Sequence, residues 1–259
     1  MVVPFDPQRF RGVARAYAAR AAYAPRLFER VVELVPLRAT DRVLDLGCGT
    51  GAIAIALAPR VGHAIGIDPE PEMLARAEAA AVAAGVRVEW IAASSYDLAA
   101  QRGRLGALRA VAIGRACHWM DRAATLAELD RSIERGGAVV LFDSKHPDVP
   151  ANAWHAEFRA LVDRCVADEP SRVLRDGWPT HQAILLASPF AALEAIAITE
   201  RRRTSIDTIV ARTRAMALVA PHADAIEGEL RALLARHADG DGTVAEVHTS
   251  RALIARREG

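Results

Sequence analysis

Val43-Leu44-Asp45-Leu46-Gly47-Cys48-Gly49-Thr50-Gly51 is an apolar run that passes directly into a loop with glycine at every second position. A short apolar run stopped by glycine reads as a buried strand. The glycines let the backbone turn sharply and come close to a ligand that any side chain would hold off. Ala52-Ile53-Ala54-Ile55-Ala56-Leu57-Ala58 follows and is a good helix former. The loop therefore opens onto a helix N-terminus, the strand-loop-helix arrangement that binds nucleotides. Its spacing is G-x-G-x-G with no lysine, which fits neither the dinucleotide pattern G-x-G-x-x-G nor the triphosphate loop G-x-x-x-x-G-K-[ST].

The next apolar run, Ala64-Ile65-Gly66-Ile67, ends at Asp68, where a carboxylate can accept both hydroxyls of a ribose. The same residue is also suited to cap the helix that Pro71 opens. Asp45-x-Gly47-x-Gly49-x-Gly51 resembles the first motif of class I S-adenosylmethionine-dependent methyltransferases, and Asp68-Pro69-Glu70-Pro71-Glu72-Met73-Leu74 looks like their second. The resemblance implies S-adenosyl-L-methionine as cofactor and S-adenosyl-L-homocysteine as product. It implies that Asp45, Gly47, Cys48, Gly49 and Gly51 cradle the cofactor, that Asp68 and Pro69 hold its ribose, and that Met73 packs on adenine.

The likeness continues through about residue 143. Val86 to Ile91 alternates like a strand, and Ser94-Ser95-Tyr96 follows where the family writes an acidic adenine contact. Ser94 stands in the aspartate's place, so its hydroxyl or a backbone carbonyl receives the adenine amino group, or the serines form a turn before Asp97. Leu108 to Gly114 reads as the fourth strand. It delivers Gly114-Arg115-Ala116-Cys117-His118-Trp119-Met120-Asp121 to the carboxyl edge of the sheet, where open α/β sheets bind ligands. Gly114 and Arg115 are placed beside the cofactor, and the His-Trp-x-Asp segment is similar to one found near the reactive methyl in small-molecule members of the family. A helix over Ala123 to Glu134, a stop at Gly136-Gly137 and a strand over Ala138 to Phe142 complete the matching part.

The fold expected is α/β, a doubly wound, mostly parallel seven-stranded Rossmann-like sheet, and the resemblance implies that its last two strands form an antiparallel edge. Residues 1–36 are read as an N-terminal helical cap, with a helix from Arg26 to Leu34. There the resemblance implies that Tyr17 closes over the methionine end of the cofactor and Arg20 meets its carboxylate; Arg20 also suits an ordinary surface helix. Residues 37–143 form the cofactor-binding half. Residues 144–186, punctuated by Pro147, Pro150, Pro170 and Pro179 around a helix from about Ala151 to Val166, read as an inserted lid. Residues 187–259 return to the sheet, with strands over Phe190 to Arg201 and Thr243 to Arg256 and helices between them.

A net charge of +1 with 25% charged residues gives no pull toward nucleic acid or anionic membrane. Lys145 is the sole lysine, and no apolar run reaches the roughly 18 residues of a membrane-spanning helix. The N-terminus lacks the basic and apolar regions of a secretion signal. Cys48, Cys117 and Cys165 are too few and too scattered for a disulfide framework or a zinc site. A cytoplasmic protein without a metal is expected. Asp121 and Asp143 are a thin basis for a metal-assisted reaction.

Methyl transfer from a sulfonium is an in-line displacement, so the protein mainly aligns and desolvates the nucleophile. A hydroxyl or protonated amine acceptor also needs a base, and His118 has suitable chemistry. Packing beneath Trp119 is the other role open to His118. Trp119 is a candidate wall of the acceptor pocket or a core residue, and Trp154, His155, Trp178 and His181 are lid residues able to touch substrate. The function expected is methylation of a small-molecule acceptor. A cofactor-binding protein without catalysis and a nicotinamide oxidoreductase are the alternatives.

Overall fold

The computed structural model describes residues 14–17, 19–167, 179–216 and 218–257. These form one seven-stranded sheet of order β3-β2-β1-β4-β5-β7-β6. The strands are β1 (Arg42–Leu46), β2 (His63–Asp68), β3 (Glu89–Ala92), β4 (Leu108–Gly114), β5 (Ile133–Lys145), β6 (Ala192–Ser205) and β7 (Thr243–Arg256). β1 to β5 are parallel, and β7 runs antiparallel to both β5 and β6.

The period-two geometry of a strand sorts the central side chains onto two faces. Leu44, Leu46, Val111, Ile113, Val139 and Leu141 enter one core, which α5 (Leu98–Leu105) and α6 (Arg122–Asp130) cover with Leu98, Leu105, Leu126 and Leu129. Val43, Ala110, Ala112, Val140 and Phe142 enter the other, covered by Leu27 and Val31 of α2 (Pro25–Leu34) and Ile53 and Leu57 of α3 (Ala52–Leu57). Burial on both faces is why these strands read as continuous apolar runs.

A third apolar cluster lies beyond the sheet. Trp154 and Leu161 of α7 (Trp154–Cys165) pack with Ile209 and Val210 of α9 (Ile206–Arg214), Leu230, Leu233 and Leu234 of α10 (Ala223–His237), and Val244 of β7. The covering layer thus joins the segment after β5 to the segment between β6 and β7. α8 (His181–Leu186) instead sends Leu185 into the first core beside Phe190.

Several element boundaries differ from the sequence reading. β3 starts at Glu89, the first residue paired with β2, after a turn in which Gly85 takes a positive φ of 67° beyond α4 (Pro71–Ala83). α6 ends at Asp130, and Gly136-Gly137 lies inside β5 instead of stopping a helix. A Cβ at Gly137 would approach the Arg109 carbonyl oxygen to 2.8 Å, so glycine there permits the close β4–β5 approach. β6 runs on to Ser205, since its ladder to β7 continues to Thr243.

Candidate cofactor and acceptor site

The glycine loop follows β1. Gly47, Gly49 and Gly51 all adopt the left-handed region, with φ of 71°, 53° and 80°. Gly51 is the N-cap of α3 and has no side chain with which to cap it. Asp45 does so from inside β1: its Oδ2 accepts the Ala54 backbone N–H at 3.0 Å. Next door, Asp68 Oδ2 accepts the Gly49 N–H at 2.8 Å and Oδ1 accepts the Glu70 N–H at 3.0 Å. The N-cap of α4 is Glu70, whose side chain accepts from Glu72, so the capping role considered for Asp68 belongs to Glu70. Asp68 ties the end of β2 to the glycine loop, and two carboxylate oxygens offer about four acceptor directions, of which two are used.

Burial pushes the Asp45 carboxyl up to about 7, opposed by the Ala54 N–H and reinforced by neighbouring Asp68. An unfolded aspartate titrates near pH 4, at about 3.9. The fold therefore favours the protonated acid, and this contribution is full below about pH 4 and lost as pH rises toward 7. Asp45→Asn keeps an oxygen for the Ala54 N–H and cannot ionise. Its stability relative to the native protein should rise between about pH 4 and 7 and then level off, as measured by urea unfolding at a series of pH values. A pH-independent difference would show that Asp45 titrates normally.

Cys48 lies in the same buried loop, and burial together with Asp45 and Asp68 pushes its thiol well above the usual range. Met73 is buried and Pro69 half-buried. Ser94 caps the short turn Ser95–Asp97 in a capping box: its Oγ donates to Asp97 Oδ2 at 2.6 Å and accepts the Tyr96 N–H at 3.2 Å. The turn considered for the two serines therefore forms. Tyr96 is 47% exposed.

The glycine loop and the exit of β4 are in contact, since a Cβ on Gly47 would stand 2.6 Å from the Ala116 Cβ. Arg115 is the one described non-glycine residue with positive φ, at 55°. Its guanidinium donates to the Ala21 carbonyl at 3.3 Å and lies 4.8 Å from the centre of the Tyr23 ring. Arg20 lies 5.3 Å from the centre of the Tyr17 ring, and burial, with Arg115 close by, lowers its pKa. Neither guanidinium is ion-paired with a carboxylate among the described residues. Tyr17 also covers the loop, its Cε1 being 3.1 Å from where a Gly49 Cβ would be.

Tyr17, Arg20, Arg115, His118, Trp119 and Trp154 surround a single cavity of about 380 Å³, completed by residues of the covering layer. His118 packs on Trp119 with ring centres 4.6 Å apart and also faces a second cavity of about 680 Å³, which His181 lines beneath α8. Burial pushes the Cys117 thiol up to about 11, which suits a structural cysteine. Trp178 lies outside the described residues.

Among the polar residues of the first cavity not singled out from the sequence are His146, Arg212, Glu246 and His248. Glu246 is 1% exposed and accepts from Thr204 Oγ1 at 2.6 Å, Arg212 Nη1 at 2.8 Å and His146 Nε2 at 3.2 Å. Burial opposes its ionisation, but those three donors outweigh it and hold the carboxyl well below the usual range. A signal was present: Glu246 and His248 follow Val244 at alternate positions on the buried face of β7, where apolar residues are the rule.

A parallel core flanked on both faces, extended by an antiparallel β7 and carrying a glycine loop after β1, defines the class I methyltransferase fold. The Methyltransferase domain family matches residues 43–137. The chain is 33% identical over 137 residues to a demethylmenaquinone methyltransferase of Thermus thermophilus, covering 52% of this chain and 60% of that protein. It is 29% identical over 178 residues to an uncharacterized methyltransferase of Mycobacterium tuberculosis, covering 68% and 62%. It thus spans about three fifths of the length of these relatives. Among solved structures, a SAM-dependent methyltransferase of Geobacter sulfurreducens in complex with S-adenosyl-L-homocysteine matches with a TM-score of 0.54 and 16% identity, over 98% of this chain and 100% of that one. The YcgJ protein of Bacillus subtilis matches with a TM-score of 0.54 and 19% identity, over 91% and 100%. No described helix is long and apolar enough to cross a membrane.

Proposed function

We propose that the protein is an enzyme that transfers the methyl group of S-adenosylmethionine to a small-molecule acceptor. The observation that carries this reading is the continuity of the site. Tyr17 lies against Gly49 of the glycine loop and also lines a cavity that extends to His118, Trp119 and Trp154. Its volume of about 380 Å³ suits a small molecule.

The residues present fit the cofactor. Asp68 retains two acceptor directions for ribose hydroxyls, Met73 and the Ser94–Tyr96 turn bound the adenine side, and Arg20 with Arg115 offers two guanidinium groups to an amino-acid carboxylate. Because the Ser94 hydroxyl already serves the capping box, a backbone carbonyl is the freer partner for the adenine amino group. When bound, the cofactor supplies an electrophilic methyl on a sulfonium. The chain's own part is to exclude water with Tyr17 and Trp119, to align the acceptor, and to take its proton at a ring nitrogen of His118.

Calorimetric titration with S-adenosylhomocysteine tests the reading: micromolar binding supports it, and no binding, or preference for NAD, overturns it. His118→Ala should leave that affinity within about threefold and lower turnover by about 10² or more, the usual worth of a general base. Unchanged turnover removes His118 from the mechanism and leaves it as packing beneath Trp119.

A further inference from the structure

Resting on the reading of the cavity as the acceptor site, we infer that the acceptor is a planar carboxylic acid, whose carboxylate is held by Arg212, His155 and His248. Once Arg20 and Arg115 are given to the cofactor, three buried nitrogens on the covering-layer side still lack a partner among the described residues: Arg212 Nε, His155 Nε2 and His248 Nδ1. They come from α9, α7 and β7, and His248 is 1% exposed. A buried polar group left unmade costs about 1–3 kcal/mol, so three on one wall mark a place where a ligand completes the hydrogen bonds.

What that ligand carries follows from donor arithmetic. Arginine Nε only donates, and a neutral imidazole donates from its free nitrogen in one tautomer. Burial, with His146 and Arg159 nearby, pushes His155 down to about 3. Burial with Arg202 and His146 pushes His248 down to about 4, so both rings are neutral near pH 7. The wall's carboxylate, Glu246, is already occupied by Thr204, Arg212 and His146. The wall therefore offers donors and lacks a free anionic acceptor. Arg20, Arg115 and Arg212 line the cavity against Glu246, Arg159 and Arg202 stand behind the two histidines, and the sulfonium would add one more positive charge. This field favours an anion and opposes a protonated amine.

Planarity is argued from the remaining walls. His146 stacks on His155 with ring centres 3.8 Å apart, His155 lies 4.2 Å from Trp154, and Phe158 and Trp119 close the ring of aromatic faces. His146, His155, Glu246 and His248 are not arranged to hold a metal ion.

The test uses the full chain saturated with S-adenosylhomocysteine and titrated with salicylate and with salicylamide, its neutral counterpart, by calorimetry. Salicylate should bind at least tenfold more tightly. His248→Phe and Arg212→Lys should each weaken salicylate at least fivefold while changing salicylamide by less than twofold, with retained S-adenosylhomocysteine binding certifying the fold. Should Arg212→Lys lose that binding, His248→Phe and His155→Phe decide. Equal affinities, a preference for the amide, no binding of either probe, or a salicylate preference that survives the variants overturns the inference and leaves the methyltransferase reading intact. Failure to bind S-adenosylhomocysteine at all overturns both.

Discussion

Asp68→Asn should weaken binding of S-adenosylhomocysteine about 100-fold. Asp68 is 9% exposed and already accepts the Gly49 and Glu70 N–H groups, one on each oxygen. An asparagine in its place has one oxygen and one NH₂ group, so one of those backbone donors would face another donor. The ribose hydroxyls would also exchange a carboxylate for an amide. Hydrogen bonds to a charged group contribute about 1.5–3 kcal/mol each, and the loss of about 3 kcal/mol across two corresponds to roughly 100-fold in affinity. Calorimetry reads the change directly. Affinity retained within threefold would mean that Asp68 shapes the glycine loop without touching ribose.

Gly51→Ala should destabilise the fold by about 2–5 kcal/mol, a large part of the stability of an ordinary domain. Two separable effects add. A φ of 80° places an alanine in the left-handed region at about 1–2 kcal/mol. Its Cβ would also stand 2.6 Å from Trp90 Cη2 and 3.1 Å from the Ala77 Cβ, an overpacking that costs about 1–3 kcal/mol. Trp90→Leu in the same chain should relieve the second effect and leave the first. Urea unfolding of the two single variants and the double variant would then give a favourable coupling energy. Additive effects would show that Trp90 moves aside at no expense.

The sequence made the centre of the sheet legible because β1, β2 and β4 are buried on both faces, and their apolar runs end at residues with a visible reason to stop. β7 was legible to the residue, since Thr243 to Arg256 alternates against a helix layer. β5 was not: after Ile133 its residues Glu134-Arg135-Gly136-Gly137 are polar or small and fall in an irregularity of the ladder, between the Leu108–Ile133 and Ala110–Ala138 pairs. The same physics divides the site. Glycines and Asp68 are bound to local spacing and could be read. The cavity's far wall is assembled from residues such as Arg212 and Glu246, 34 positions apart, which meet only after α9 folds back over β7.

The third apolar cluster, formed by α7, α9 and α10, shares with the sheet little more than Val244. On the reading proposed above, the α7 and α9 side of the acceptor cavity and the cofactor loop therefore answer to different hydrophobic cores. Over evolutionary time the helical layer is free to drift, repack or be replaced, changing what is modified, while Gly47 to Asp68 keeps the same donor in hand.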